Sequence, residues 1–237
     1  QGEWALYSCS MFSAALMNIS RQYPETAQDN ICHIQRLIDT VMSSELRAYD
    51  TNRWDEDAMT TLHGTKSHIS YISHLAWMIC GYKTVGGDDR YDAVLSQLCE
   101  TMNRRILSSP SLNLPTYPGE SIYVPDMLVA IVALKQYSQM ADNRYSSTVE
   151  KWLAKARTEW LDKESGLLVS FLRTDGTQYA DAPVKGSYSA LNCYYLTLID
   201  SDFAREQYTL LKKYLWREDF VSGLREYRDW TPVLGLD

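Results

Sequence analysis

A chain of 237 residues with 45% hydrophobic side chains is long enough to build one sizeable core. Its 23 Lys and Arg stand against 30 Asp and Glu, a formal charge of -7, which argues against a nucleic-acid or anionic-membrane surface. The longest apolar run, Met127 to Leu134, falls far short of the roughly 20 residues of a bilayer span, so no membrane-spanning helix is expected.

In chain order, Met11 to Ile19 is apolar almost all round and predicts a helix surrounded by protein. Next, Ile31, Ile34, Leu37, Ile38, Val41 and Met42 recur at spacings of three and four, the mark of a helix with one wet face. The alternation continues. Ile69 to Cys80, Met127 to Leu134 and Tyr194 to Ile199 are again apolar throughout, whereas Val149, Trp152, Leu153, Ala156 and Trp160 are amphipathic. Asp88-Asp89-Arg90-Tyr91 recurs as Asp142-Asn143-Arg144-Tyr145 and, more weakly, as Asp200-Ser201-Asp202-Phe203. Gly166 to Leu172 and Gly223 to Tyr227 recur in the same phase, which defines a hairpin unit of about 55 residues.

Four hairpins follow, over 4–48, 67–107, 125–162 and 187–217. Buried inner helices alternating with amphipathic outer ones predict an all-α fold of the α/α toroid type, a single domain over 1–237, with a two-layer helical solenoid as the alternative. A closed toroid has about six such hairpins, so about four of six are expected here. Thr231 to Asp237 reads as the approach to another inner helix, and the domain is expected to continue past 237 or to be closed by a second chain or a homo-oligomer. The chain opens at Gln1 without an initiator Met or a signal-like segment, which leaves cytoplasmic and secreted locations both open. Cys9, Cys32, Cys80, Cys99 and Cys193 are odd in number and contain no CxxC pair, and they are expected to be buried free thiols.

Loops entering the inner helices of such a fold converge on one mouth, where polar residues are candidates for chemistry. The first loop carries His63 and His68 and leads to His74 in an inner helix. Their spacings of five and six do not suit zinc ligation, so no metal is expected. His74 is either a satisfied core histidine or a proton-transfer group. Trp54-Asp-Glu-Asp57 reads as a solvated acidic turn. The second loop carries Tyr117, Glu120, Tyr123 and Asp126 and runs into the most hydrophobic helix. Pro125 and Asp126 suit a helix N-terminus, a structural role, but a carboxyl facing a low-dielectric cavity would also serve as a general acid. The third loop presents Lys185 and Tyr188 ahead of Asn192, with Tyr188 at the position that Tyr123 holds one hairpin earlier. A nucleophile elbow, a phosphate-binding glycine loop and a dinucleotide fingerprint are all absent, which sets aside serine hydrolases, kinases and Rossmann enzymes.

Several stretches together resemble the linalool dehydratase/isomerase-like family of α/α toroids. They are Ala14 to Pro24, Arg36-Leu-Ile-Asp39, His74 to Tyr82 running into Gly87 to Tyr91, Tyr117 to Leu134, and Pro232 to Leu236. The resemblance implies a cofactor-independent enzyme that removes and adds water on a small, largely apolar alcohol by acid-base catalysis. The family's histidine at the second inner helix falls on His74, and a tyrosine near the first inner helix on Tyr7. Two family cysteines nine positions apart are replaced by Tyr117 and Asp126, so thiol chemistry does not carry over. The expected catalytic set is Asp126 with His74 and Tyr117, and the expected substrate contacts are Tyr7, His63, His68, Glu120, Tyr123, Lys185, Tyr188 and Asn192. A carbohydrate-active toroid enzyme, glycoside hydrolase or polysaccharide lyase, in which Glu120 or Asp57 pairs with Asp126, is one alternative. A non-catalytic helical-repeat binding protein is another.

Overall fold

The computed structural model describes residues 2–218 and 222–228; the Thr231–Asp237 and Pro232–Leu236 segments singled out above lie outside them. The fold is all-α. After α1 (Gly2–Gln22) and a 3-10 turn come α2 (Ala27–Met42), α3 (Ser44–Trp54), α4 (Ile69–Thr84), α5 (Asp92–Ser108), α6 (Val124–Met140), α7 (Ser146–Glu159), α8 (Gly186–Thr197) and α9 (Ser201–Leu215). Two short antiparallel ribbons complete it. Strand β1 (Ile122–Tyr123) pairs with β2 (Phe171–Leu172), Ile122 opposite Leu172, and β3 (Trp216–Glu218) pairs with β4 (Ser222–Leu224).

Helices α1, α4, α6 and α8 touch in succession, and α2, α5, α7 and α9 each lie against their own hairpin partner. The composition of each helix explains its layer. All residues from Ile69 to Tyr82 in α4 and from Val124 to Leu134 in α6 are buried, as helices apolar on every side require. Helix α2 buries Ile34, Ile38 and Val41 and wets the opposite face, and α7 buries Val149, Trp152 and Ala156. At Gly81 the helices α1 and α4 approach closely: a Cβ there would sit 1.4 Å from Met17 Sδ.

The repeated Asp-Arg-Tyr signature is a packing device. Tyr91 and Tyr145 precede α5 and α7 and are buried, with ring centroids 5.4 Å from Tyr82 and 5.8 Å from Tyr137 respectively. Phe203 takes the corresponding place in α9, where Asp200 accepts a hydrogen bond from the Phe203 N–H at 3.0 Å and caps the helix.

Four expectations change. The first hairpin contains a break, because Ser43 leaves helical backbone and accepts from the Leu46 N–H at 3.3 Å, starting α3. Helix α1 is not surrounded: Trp4, Phe12 and Ile19 are exposed on one of its faces. Cys32 is exposed and Cys9 half-buried, since each lies towards the wet side of its helix, whereas Cys80, Cys99 and Cys193 are buried. The Trp54–Asp57 turn is bonded rather than solvated. Trp54 is buried, Asp57 takes a two-pronged ion pair from Arg47 at 2.9 to 3.0 Å, and Glu56 accepts from Lys66 and meets His68.

That turn begins a loop held by Arg105, whose guanidinium donates to the carbonyls of Thr61, Leu62, Gly64 and Ser67. Burial lowers the Arg105 pKa to about 10, so it stays charged at neutral pH. The loop ends at His68, whose positive φ of 49° lies in the left-handed region that disfavours side chains with a Cβ. Its ring fixes that conformation, with Nδ1 2.6 Å from Asp50 Oδ2 and Nε2 3.2 Å from Glu56 Oε1. Each ring nitrogen thus has a carboxylate oxygen as its partner.

Candidate functional site

A cavity of about 360 Å³ opens where the N-termini of α1, α6 and α8 meet the side of α4. Its size falls within the range of small-molecule sites, and most of its wall is aromatic or aliphatic. Helix α1 contributes Glu3, Tyr7 and Met11 at spacings of four, which places them on one face, with Trp4 at the rim. Helix α8 contributes Tyr188, Leu191 and Tyr195 at spacings of three and four, and α4 contributes His74. Thr116, Tyr123, Pro125 and Asp126 come from the loop and first turn of α6.

Asp126 is the central acid. Pro125 occupies the first turn, where its missing N–H costs nothing, and Asp126 follows at the positive helix end. That field favours a carboxylate, yet the group is only 7% exposed. Burial wins and raises Asp126 to about 7; a hydrogen bond with Thr116 and one from Tyr7 oppose the rise, and the charge of Glu3 adds to it. Tyr7 Oη lies 3.4 Å from Asp126 Oδ1, 3.4 Å from Glu3 Oε1 and 3.2 Å from Ser70 Oγ. A phenol has one proton, so it serves one carboxylate at a time, and the buried Asp126 completes the set best by carrying its own. Burial and the neighbouring Asp126 hold the Tyr7 pKa well above 10, and the phenol remains a donor.

His74 Nδ1 is 2.6 Å from Ser10 Oγ. This leaves Nε2 for the cavity, and the Tyr7 ring stands edge-on at 4.9 Å between centroids. Complete burial lowers its pKa to about 3, so the imidazole is neutral throughout the physiological range. The two looser tyrosines share a wall: Tyr123 and Tyr188 lie 6.3 Å apart, and both pack on Phe171 at 5.1 Å.

Of the residues anticipated from sequence, Tyr7, His74, Tyr123, Asp126 and Tyr188 meet in this cavity. Tyr117 is buried just behind it, under the Arg53 guanidinium at 4.5 Å from the ring centroid. Lys185 lies 5.7 Å over the Phe171 and Tyr188 rings, outside the lining. Glu120 is ion-paired with Arg53 at 2.7 Å and accepts from Tyr123 at 3.3 Å, in a shallow groove beside the mouth. His63 is exposed on a turn, and His68 is locked in the loop between Asp50 and Glu56. Asn192 is buried, and its two side-chain polar atoms have no hydrogen-bond partner among the described residues. The carboxyl that accompanies Asp126 is therefore Glu3, not Glu120 or Asp57, both of which are held by arginines. Sequence reasoning missed Glu3, Trp4, Met11, Thr116, Leu191 and Tyr195. The spacings of four on α1 and of three and four on α8 carried the signal for most of them.

A larger cleft, about 860 Å³, follows residues 159–183. Its ionisable groups, among them Asp162, Lys163 and Asp181, are not buried. No protein-family profile and no curated protein matches this sequence.

Proposed function

We propose that the chain is an enzyme of the dehydratase/isomerase type, acting on a small, largely apolar alcohol by acid-base chemistry without a cofactor, within a helical fold of toroid type. One observation carries this: a buried acid poised near 7 and bonded by a phenol inside an aromatic cavity. The resemblance to the linalool dehydratase/isomerase-like family points the same way. In the elimination direction, protonated Asp126 gives its proton to the substrate hydroxyl, the C–O bond breaks and water leaves. The Asp126 carboxylate then takes a proton from the neighbouring carbon, the C–H electron pair becomes the double bond, and the acid is restored. Asp126 serves in both steps because His74, with a pKa near 3, is much the weaker base. Neutral His74 orients the hydroxyl, and the rings of Tyr7, Tyr188 and Tyr195 face the developing carbocation.

Incubating the protein with tertiary and allylic alcohols and their alkenes, with product analysis by gas chromatography, tests the proposal. Turnover that disappears in Asp126→Asn is expected; turnover unchanged in that variant would remove Asp126 from the mechanism. A specific observation favours a second reading, a glycosidase. Tyr7 lies 3.4 Å from both Glu3 and Asp126, so the two carboxyls are no more than about 7 Å apart, compatible with glycosidase acid pairs. Release of the aryl group from nitrophenyl glycosides, lost in Glu3→Gln, would select it.

A further inference from the structure

Behind the cavity, three phenols gather around one hydroxyl. Ser70, fully buried in the first turn of α4, has Tyr7 Oη at 3.2 Å. The hydroxyls of Tyr49, on α3, and Tyr117, in the loop before β1, turn to the same Ser70 side chain, whose hydrogen-bonding pull lowers the pKa of both against the rise that burial causes. Both of these hydroxyls are buried, yet neither has a hydrogen-bond partner of good geometry among the described residues. Tyr117 is 3% exposed and its ring is pinned by Arg53. Buried phenols without a well-formed hydrogen bond are costly to leave so, and the arrangement calls for an oxygen between them. The carboxyls of Glu3 and Asp126 border the same space. Two carboxyls disfavour an anion there, whereas a neutral oxygen finds donors in the phenols and acceptors in the carboxyls, within the two to four partners that an enclosed water needs.

We propose that Ser70 with Tyr7, Tyr49 and Tyr117 forms a subsite for one neutral oxygen, water or a ligand hydroxyl, beside Asp126. Resting on the dehydratase reading, the subsite holds the oxygen that the reaction moves. The alcohol oxygen enters it, takes the Asp126 proton as the C–O bond breaks, and stays as the water molecule that re-adds in the reverse direction. Tyr49 and Tyr117 are then donors to the departing oxygen, although Tyr117 does not line the main cavity.

Two measurements on the full chain test this. A high-resolution crystal structure is expected to show an ordered water within hydrogen-bond distance of Ser70 and at least two of the phenols, and to lose it in a Tyr49→Phe/Tyr117→Phe variant. A dry space with the phenols bonded to protein acceptors overturns the subsite. Exchange of 18O from labelled water into an alcohol that the enzyme turns over should slow about tenfold in Tyr49→Phe, the loss of one hydrogen bond to the reacting oxygen. An unchanged exchange rate overturns the assigned role. Ordered water in a protein that turns over no alcohol keeps the subsite and rejects the dehydratase reading, so the two failures are distinguishable.

Discussion

Replacing Asp126 by Asn should stabilise the protein at alkaline pH while abolishing its chemistry. The carboxyl ordinarily titrates at 3.8 and here is raised to about 7, so between those values the folded state binds a proton that the unfolded chain has released. Stability therefore falls as pH rises through that window, and the loss is complete above about pH 7. Three pKa units correspond to about 4 kcal/mol, and because the group is 7% exposed, solvent screening takes little from it. Asn keeps the oxygen that accepts from Tyr7 and has no charge to bury. Urea unfolding of the two proteins should give similar free energies near pH 4 and diverge in favour of Asp126→Asn by up to about 4 kcal/mol near pH 8.5. Parallel pH profiles would refute the argument, because they would mean that Asp126 ionises as easily in the folded protein as in the unfolded chain. A variant that is stable at high pH yet inactive would mark Asp126 as a group kept at a cost in stability.

Other outcomes follow from neighbouring geometry. If protonated Asp126 is the acid, the rate constant kcat/KM for dehydration should fall about tenfold per pH unit above about 7, while a 13C titration of the Asp126 carboxyl gives the same midpoint. Ser10→Ala removes the partner of His74 Nδ1 at 2.6 Å; thermal unfolding should show a loss of about 1 to 3 kcal/mol, and the alcohol assay a drop in kcat as the ring loses its fixed orientation. Arg105→Met strands the loop carbonyls of residues 61 to 67 and should cost about 3 kcal/mol or more in urea unfolding, with an unchanged melting point as the contrary result. Gly81→Ala forces Met17 aside between α1 and α4, at an expected cost of about 1 to 3 kcal/mol.

Legibility in the sequence tracked the range of the interactions involved. The periods of α2 and α7, the apolar runs of α4 and α6, and the start of α6 at Pro125 are local patterns, set within a turn or two of chain, and the structure has them where the spacings put them. The break at Ser43 was hidden because a serine that caps a helix and one that rides on its surface look alike without their partners. Acidic turns misled for the same reason: Glu56 and Asp57 read as solvated until His68 and Arg47 were brought to them. Glu3 drew no notice, because an acid in the first turn of a helix is common and does not show what it will face.

By itself, the sequence determined the helical class, the alternation of buried and amphipathic helices and the repeated aromatic at the outer-helix starts. It also marked Asp126 as an acid at the head of an apolar helix. Only tertiary structure decided what that acid meets. Tyr7 and Asp126 are 119 positions apart, and they touch because α1 and α6 both pack on α4 with their N-termini at the same end. The rise of Asp126 to about 7 is likewise a property of the space around it: a carboxyl's charge is stabilised by water, and packing of distant helices removed the water.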